Sequence, residues 1–258
     1  MDLQLKGKKV LVTGGSKGIG LACAKAFLAE GAQVAIVSRS QANLDAAKKV
    51  LQDCFCISGD LADAGAAASV VERAEQDFGP IEVLVNSAGA ARRTNADELT
   101  PAAWRAAMDA KYFTYINVID PLVKRMAARG RGVIVNIIGA GGKIASPIHL
   151  PGGSANAALM LATAGLANAY AAKGVRVVGI NPGLTNTSRV AEGLKADAKR
   201  EGVSEDEALA RAKKKMPLGR LAEPEEIADI AVFAASERGR FLTGANISAD
   251  GVSVPTVV

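Results

Sequence analysis

The sequence predicts an α/β fold, one doubly wound parallel sheet of seven strands with helices on both faces. Three observations carry this. Short apolar runs alternate with helical patterns from end to end. The apolar runs are continuous, as in strands buried on both faces, where half-exposed strands would alternate with polar residues. The chain has 258 residues, 49% of them hydrophobic, which suits one domain, 1–258, with a sizeable core and no internal linker.

Taken in order, the strand runs fall at 9–13, 33–38, 54–57, 82–85, 132–137, 175–180 and 245–248. Helical patterns separate them at 18–30, 41–51, 64–78, 101–129 and 154–172, with a last group at 189–215 and 224–235. Thr100-Pro101 reads as an N-cap and first helical residue. Gly31 and Gly174 follow helix ends, where a left-handed residue is favoured. Ser204-Glu205-Asp206-Glu207 has the pattern of a capping box. The stretch Leu150-Pro151-Gly152-Gly153 is poor helix material, so the fifth helix is expected to start from Ser154 as N-cap. The charged segment 186–221 interrupts the sheet pattern. It reads as a helical lid at the carboxyl ends of the strands, or else as a solvated surface insertion.

Composition narrows the function classes. The formal charge is +5 with the basic residues scattered, which fits an anionic cofactor or substrate and offers no aromatic-basic platform for nucleic acid. Neither a signal-peptide pattern nor a membrane-length apolar run is present, so a soluble, cytoplasmic protein is expected, with a small-molecule ligand. Cys23, Cys54 and Cys56 have no metal-ligand spacing. They are expected to be reduced and to pack as small apolar residues, Cys54 and Cys56 on one strand face.

The first strand leads into Thr13-Gly14-Gly15-Ser16-Lys17-Gly18-Ile19-Gly20 and then a helix. A glycine-rich turn at a helix start lets backbone N–H groups approach a pyrophosphate, so this is a Rossmann-like dinucleotide cradle. The second strand ends Ser38-Arg39-Ser40, without a carboxylate to hold ribose hydroxyls. Arg39 and Lys17 offer cations, and Ser38 and Ser40 hydroxyls, to a 2′-phosphate, so NADP is the expected cofactor.

With Asp60-Leu61 after the third strand, Asn86-Ser87-Ala88-Gly89 after the fourth, Asn181-Pro182-Gly183 after the sixth and the closing Asp250-Gly251, the whole chain resembles the short-chain dehydrogenase/reductase family. The resemblance implies that Asp60 contacts the adenine. It implies that Asn86, Ala88 and Gly89 shape the cofactor pocket and that Thr187, beyond Pro182-Gly183, faces the nicotinamide amide. It also implies a homo-oligomer, tetramer or dimer, with which the apolar tail 252–258 is compatible.

The family's catalytic asparagine, serine, tyrosine and lysine map onto Lys111, Gly139, Gly152 and Asn156, none of which is the family residue. The three tyrosines are Tyr112, Tyr115 and Tyr170, and no Tyr-x-x-x-Lys occurs. Tyr170 and Lys173 lie about 27 Å along the fifth helix from its start. No residue is therefore assigned as catalytic. Lys111, Gly139, His149, Gly152 and Asn156 are candidates for the substrate pocket. His149 titrates near neutrality when unperturbed, and Lys111 is suited to an oxyanion or an anionic substrate. Arg92, Arg93 and Lys143 flank the same region. Three functions stay open: an NADP-dependent oxidoreductase with a non-standard proton donor, an inactive NADP(H)-binding sensor or partner subunit, and a non-redox enzyme on the same scaffold.

Overall fold

The computed structural model describes residues 1–89 and 93–256. Seven parallel strands, β1 (Lys9–Thr13), β2 (Gln33–Ser38), β3 (Cys54–Ser58), β4 (Val83–Asn86), β5 (Gly132–Ile137), β6 (Val175–Pro182) and β7 (Asn246–Ala249), form one sheet in the order β3-β2-β1-β4-β5-β6-β7. Leaving β3 at one edge, the chain returns beside β1 as β4. The order therefore reverses between β1 and β4, and a crevice opens at their carboxyl ends.

Helices α1 (Gly18–Ala29), α2 (Gln41–Leu51) and α9 (Pro224–Ala235) bury Phe27, Leu44 and Ile227 on one face of the sheet. On the other face, α3 (Ala64–Arg73), α5 (Thr114–Ala128) and α6 (Leu150–Tyr170) bury Val71, Leu122 and Leu159. β-branched and leucine side chains in the central strands meet both layers. At about 25 cal/mol per Å² of apolar surface, this burial is the main favourable contribution to folding.

Two of the differences from the sequence expectation bear on the site. The helix expected at 101–129 is α4 (Pro101–Ala107), a π-type stretch (Met108–Phe113) and α5 in continuous succession, with Thr100 accepting the Ala103 N–H at 3.2 Å as its cap. The wider π turn brings Lys111 inward. Helix α6 starts at Leu150 and not at the expected Ser154 cap. Pro151 suits a first turn, where no N–H is needed. Ser154 instead donates from within the helix to Leu150 O at 3.0 Å. The glycines are tolerated because the helix start lies against the 140–142 turn: a Cβ on Gly153 would meet Gly141 O at 2.8 Å.

Two helices fill the 186–221 segment, α7 (Ser188–Glu201) and α8 (Glu205–Lys214), capped by the hydroxyls of Thr187 and Ser204. Among the described residues, no helix is long and apolar enough to cross a membrane. Cys54 and Cys56 share a strand face as expected, half-buried with their Sγ atoms 3.7 Å apart.

Candidate functional site

The glycine turn sits at the carboxyl end of β1, against the end of β4. Gly14 has φ +65°, and a Cβ there would lie 2.8 Å from Ala88 Cα, while a Cβ on Gly20 would lie 2.3 Å from Gly14 O. Side chains at either position would push the helix start and the β4 loop away from the turn. The α1 N-terminus has Lys17 as its N-cap without a side-chain cap bond, and its first turn carries no acidic residue. Its first N–H groups are thus taken neither by a side-chain cap nor by an acidic residue of that turn. That arrangement fits a bound phosphate.

Around this cradle the structure brings the expected cofactor residues to one end of the sheet. Ser16 is nearly buried in the turn, whereas Lys17 and Arg39 are exposed beside it. Ser38 and Ser40 accept backbone N–H groups, from Ser40 and Asn43 at 3.4 and 3.3 Å. Their acceptor capacity is partly used, and each keeps a hydroxyl hydrogen to donate. Asp60 accepts from Ala62 N at 3.1 Å. Leu61 is buried, and its carbonyl accepts from Asn117 Nδ2 at 3.0 Å. Ile19 lies half-buried in the first helical turn. Thr187 accepts from Val190 N at 3.4 Å, and its methyl group faces Gly18, 3.3 Å from where a Cβ would be. The 182–187 loop thereby closes over the cradle. Gly183 packs against Asp250, which would stand 3.0 Å from an added Cβ.

A buried chain of hydrogen bonds ties these elements together. Thr13 Oγ1 accepts from Ser87 N at 3.2 Å and donates to Asn86 Oδ1 at 3.2 Å. Asn86 Nδ2 donates to Asn136 Oδ1 at 3.0 Å, and Asn136 Nδ2 donates to Thr163 Oγ1 at 3.0 Å. The four side chains span β1, β4, β5 and α6, and all are buried. Asn136 and Thr163 were not expected site residues. The signal for Asn136 is a lone amide inside the apolar run Gly132–Ile137, since a polar group there must find partners.

The positions matched to the family's catalytic residues do converge. Gly139, at φ +125°, faces the Asn156 amide, with Nδ2 3.2 Å from a Cβ built on it. Gly141 faces both the His149 ring and Asn156 Nδ2, at 3.3 and 3.7 Å. Gly152 is buried in the first turn of α6, which starts before it and not at Ser154. Asn156 is buried as well. Lys143, near the same turn, donates to Ser248 Oγ at 2.8 Å. Arg92 lies outside the described residues, as does the end of the 252–258 tail.

Lys111 is not a surface charge. Its side chain is buried, and Nζ donates to Tyr115 OH at 2.8 Å and to Ile137 O at 3.1 Å. Tyr115 OH in turn donates to the same carbonyl. Burial, with the Arg189 guanidinium adding to it, lowers the Lys111 pKa to about 7. Burial raises that of Tyr115. Ile137 ends β5 two residues before Gly139, so the amine stands at the carboxyl end of the sheet close to Gly139. His149 is half-buried, its Nδ1 is enclosed with no hydrogen-bond partner, and burial, followed by Arg93 and Lys111, lowers its pKa. The imidazole is therefore neutral at pH 7.

Among the described residues, no group of three or more His, Cys, Asp or Glu side chains could hold a metal ion. The family model described as enoyl-(acyl carrier protein) reductase matches residues 14–251. The chain is 35% identical over 243 residues to acetoacetyl-CoA reductase of Shinella zoogloeoides, covering 93% of this chain and 96% of the relative. L-sorbose reductase of Gluconobacter frateurii, solved with NADPH and L-sorbose, superposes with a TM-score of 0.94 at 30% identity over 100% of both chains. A protein described as of the short chain dehydrogenase/reductase family superposes with a TM-score of 0.86 at 31% identity, covering 99% of this chain and 100% of the other.

Proposed function

The chain belongs to the short-chain dehydrogenase/reductase family, and from that premise we propose an NADP(H)-dependent oxidoreductase acting on a carbonyl/alcohol pair, with Lys111 handling the proton. Bound NADPH supplies the hydride. In this reading Gly14, Ser16, Gly18, Ile19 and Gly20 hold the pyrophosphate, and Lys17, Ser38, Arg39 and Ser40 hold the 2′-phosphate. Asp60 and Leu61 flank the adenine. Asn86, Ala88 and Gly89 line the middle of the cofactor, and Pro182, Gly183 and Thr187 its nicotinamide end. Helices α7 and α8 form the lid. The cofactor assignment is supported by the bare α1 N-terminus and by the NADPH held in L-sorbose reductase.

One observation carries the choice of Lys111: a buried amine whose pKa is lowered to about 7, at the carboxyl end of β5. An acid/base works best when its pKa lies near the operating pH. The ammonium form gives its proton to the developing alkoxide in reduction, and the neutral amine takes it back in oxidation. Tyr115 orients the amine by accepting from it while its own hydrogen is committed to Ile137 O. His149, already neutral, has no acidic proton to give at neutral pH, so it is the weaker candidate. Gly139, Gly152 and Asn156 leave the family's own proton route without its groups.

The experiment combines NADPH and NADH affinity with turnover of a panel of aldehydes, ketones and oxo acids, followed by nicotinamide absorbance. Tight NADPH binding and turnover reduced at least 100-fold in Lys111→Met support the proposal. Turnover unaffected by that change removes Lys111 from the mechanism. NADPH binding with no turnover on any substrate favours a sensor or partner subunit, for which the absent hydroxyls at Gly139 and Gly152 speak. Product formed without an absorbance change favours a non-redox enzyme.

A further inference from the structure

Among the described residues, Arg189 acts on Lys111, and Arg93 and Lys111 act on His149, all of them cations. Arg189, in the first turn of α7, donates from Nη1 to Gly89 O at 3.2 Å, which fixes its guanidinium at the end of β4. Thr94 N donates to Ile148 O at 3.1 Å. That backbone clasp sets Arg93 beside His149. Lys111 lies below, buried, with two of its three N–H groups used on neutral acceptors. Among the described residues its hydrogen-bond partners are a hydroxyl and a carbonyl, with no carboxylate, whereas a buried ammonium calls for a counter-charge. Asp250, just after β7, is occupied by the N–H groups of Val252 and Val254 at 3.1 and 3.0 Å.

We propose that the substrate carries a carboxylate, held by Arg189 at the mouth of the site with the Lys111 amine beneath it. This rests on the oxidoreductase reading for the identity of the reacting carbonyl, whereas the anion site rests on the placement of Arg189 on Gly89 O. Gly89 lies against the residue before Lys111: a Cβ on Gly89 would stand 2.1 Å from Ala110 O. Arginine's planar fork matches a carboxylate with two parallel hydrogen bonds. Apart from burial, the influence on Lys111 is that of Arg189, and those on His149 are of Arg93 and Lys111, all cations. Around Lys111 stand Tyr115 from its own helical stretch, Ile137 O from β5, His149 from the α6 start and Arg189 from α7. Cys23 on α1 acts on Tyr115. A bound carboxylate offsets the repulsion from Arg189 and draws a proton onto Lys111. Substrate binding thereby loads the acid that reduction consumes.

The probe is malonate, with malonamide as its neutral counterpart, titrated calorimetrically into NADP-loaded protein at pH 8 in buffers of different ionisation enthalpy. The expected result is malonate binding at least tenfold tighter than malonamide, with net proton uptake. That preference is lost in Arg189→Gln, and the uptake is lost in Lys111→Met. Equal affinities, no malonate binding, or an unchanged preference in Arg189→Gln overturns the proposal. So does a loss of NADP affinity in Arg189→Gln, which assigns the guanidinium to the cofactor. None of these readouts uses turnover. A protein that binds malonate as expected yet reduces no carbonyl contradicts the oxidoreductase reading and leaves the anion site in place.

Discussion

The Lys111 amine donates to the Tyr115 hydroxyl at 2.8 Å, one helical turn along the same segment, and both side chains are buried. A lysine with its folded pKa lowered from 10.5 to about 7 is destabilising in its charged form. The unfolded chain binds the extra proton between those values, so stability rises with pH from about 7 to 10.5 on this account. Lys111→Met is expected to stabilise the protein at pH 7 by roughly 2–4 kcal/mol and to flatten that pH dependence. Urea unfolding at pH 7 and pH 10 reads both effects, and a variant less stable at pH 7 would show that the ammonium is compensated.

Gly20→Ala places a methyl group 2.3 Å from Gly14 O, a backbone atom that moves only with the turn. The expected cost is about 1–3 kcal/mol of stability, with NADPH affinity reduced at least tenfold. Thermal unfolding and NADPH fluorescence titration check the two parts. Retained affinity would show that the cradle does not depend on this close approach.

Arg39→Asp tests the choice between cofactors. Losing charge-assisted hydrogen bonds to a 2′-phosphate costs about 1.5–3 kcal/mol, roughly 10- to 150-fold in NADPH affinity. The new carboxylate suits ribose hydroxyls, so NADH affinity is expected to rise. An unchanged NADPH-to-NADH ratio would leave Arg39 as a solvent-facing loop residue.

Asn136→Leu removes the centre of the buried chain from Thr13 to Thr163 and leaves Asn86 Nδ2 and Thr163 Oγ1 without their partner. Unsatisfied buried groups cost about 1–3 kcal/mol each, so a loss of about 2–6 kcal/mol is expected in urea unfolding. Asn136→Leu as stable as the native chain would mean that the β4 and β5 ends relax to pair these groups elsewhere.

Much of the fold was legible because it follows from local pattern. Strands such as Gln33–Ser38 and helices such as Gln41–Leu51 match their apolar runs residue for residue. The start of α6 was not legible, because Gly152 and Gly153 are poor helix residues in isolation. Only the tertiary approach of the 140–142 turn makes their lack of side chains useful. The cradle was legible as a motif, and Gly139, His149 and Asn156 as neighbours once the resemblance placed them. The burial of Lys111 was not, since it depends on a π turn and on a carbonyl from another strand. Arg189 was missed for a similar reason: its role depends on contact with Gly89, 100 residues away.

The most direct test of the account is the pH dependence of single-turnover NADPH oxidation, with the most active carbonyl of the panel at saturation. With Lys111 as the acid, the rate is expected to be high below pH 7 and to fall tenfold per pH unit above the Lys111 pKa. Lys111→Met should lose at least 100-fold of the rate and the pH dependence together while NADPH affinity is preserved. A Lys111→Met protein with the native rate and the same pH profile would contradict the account.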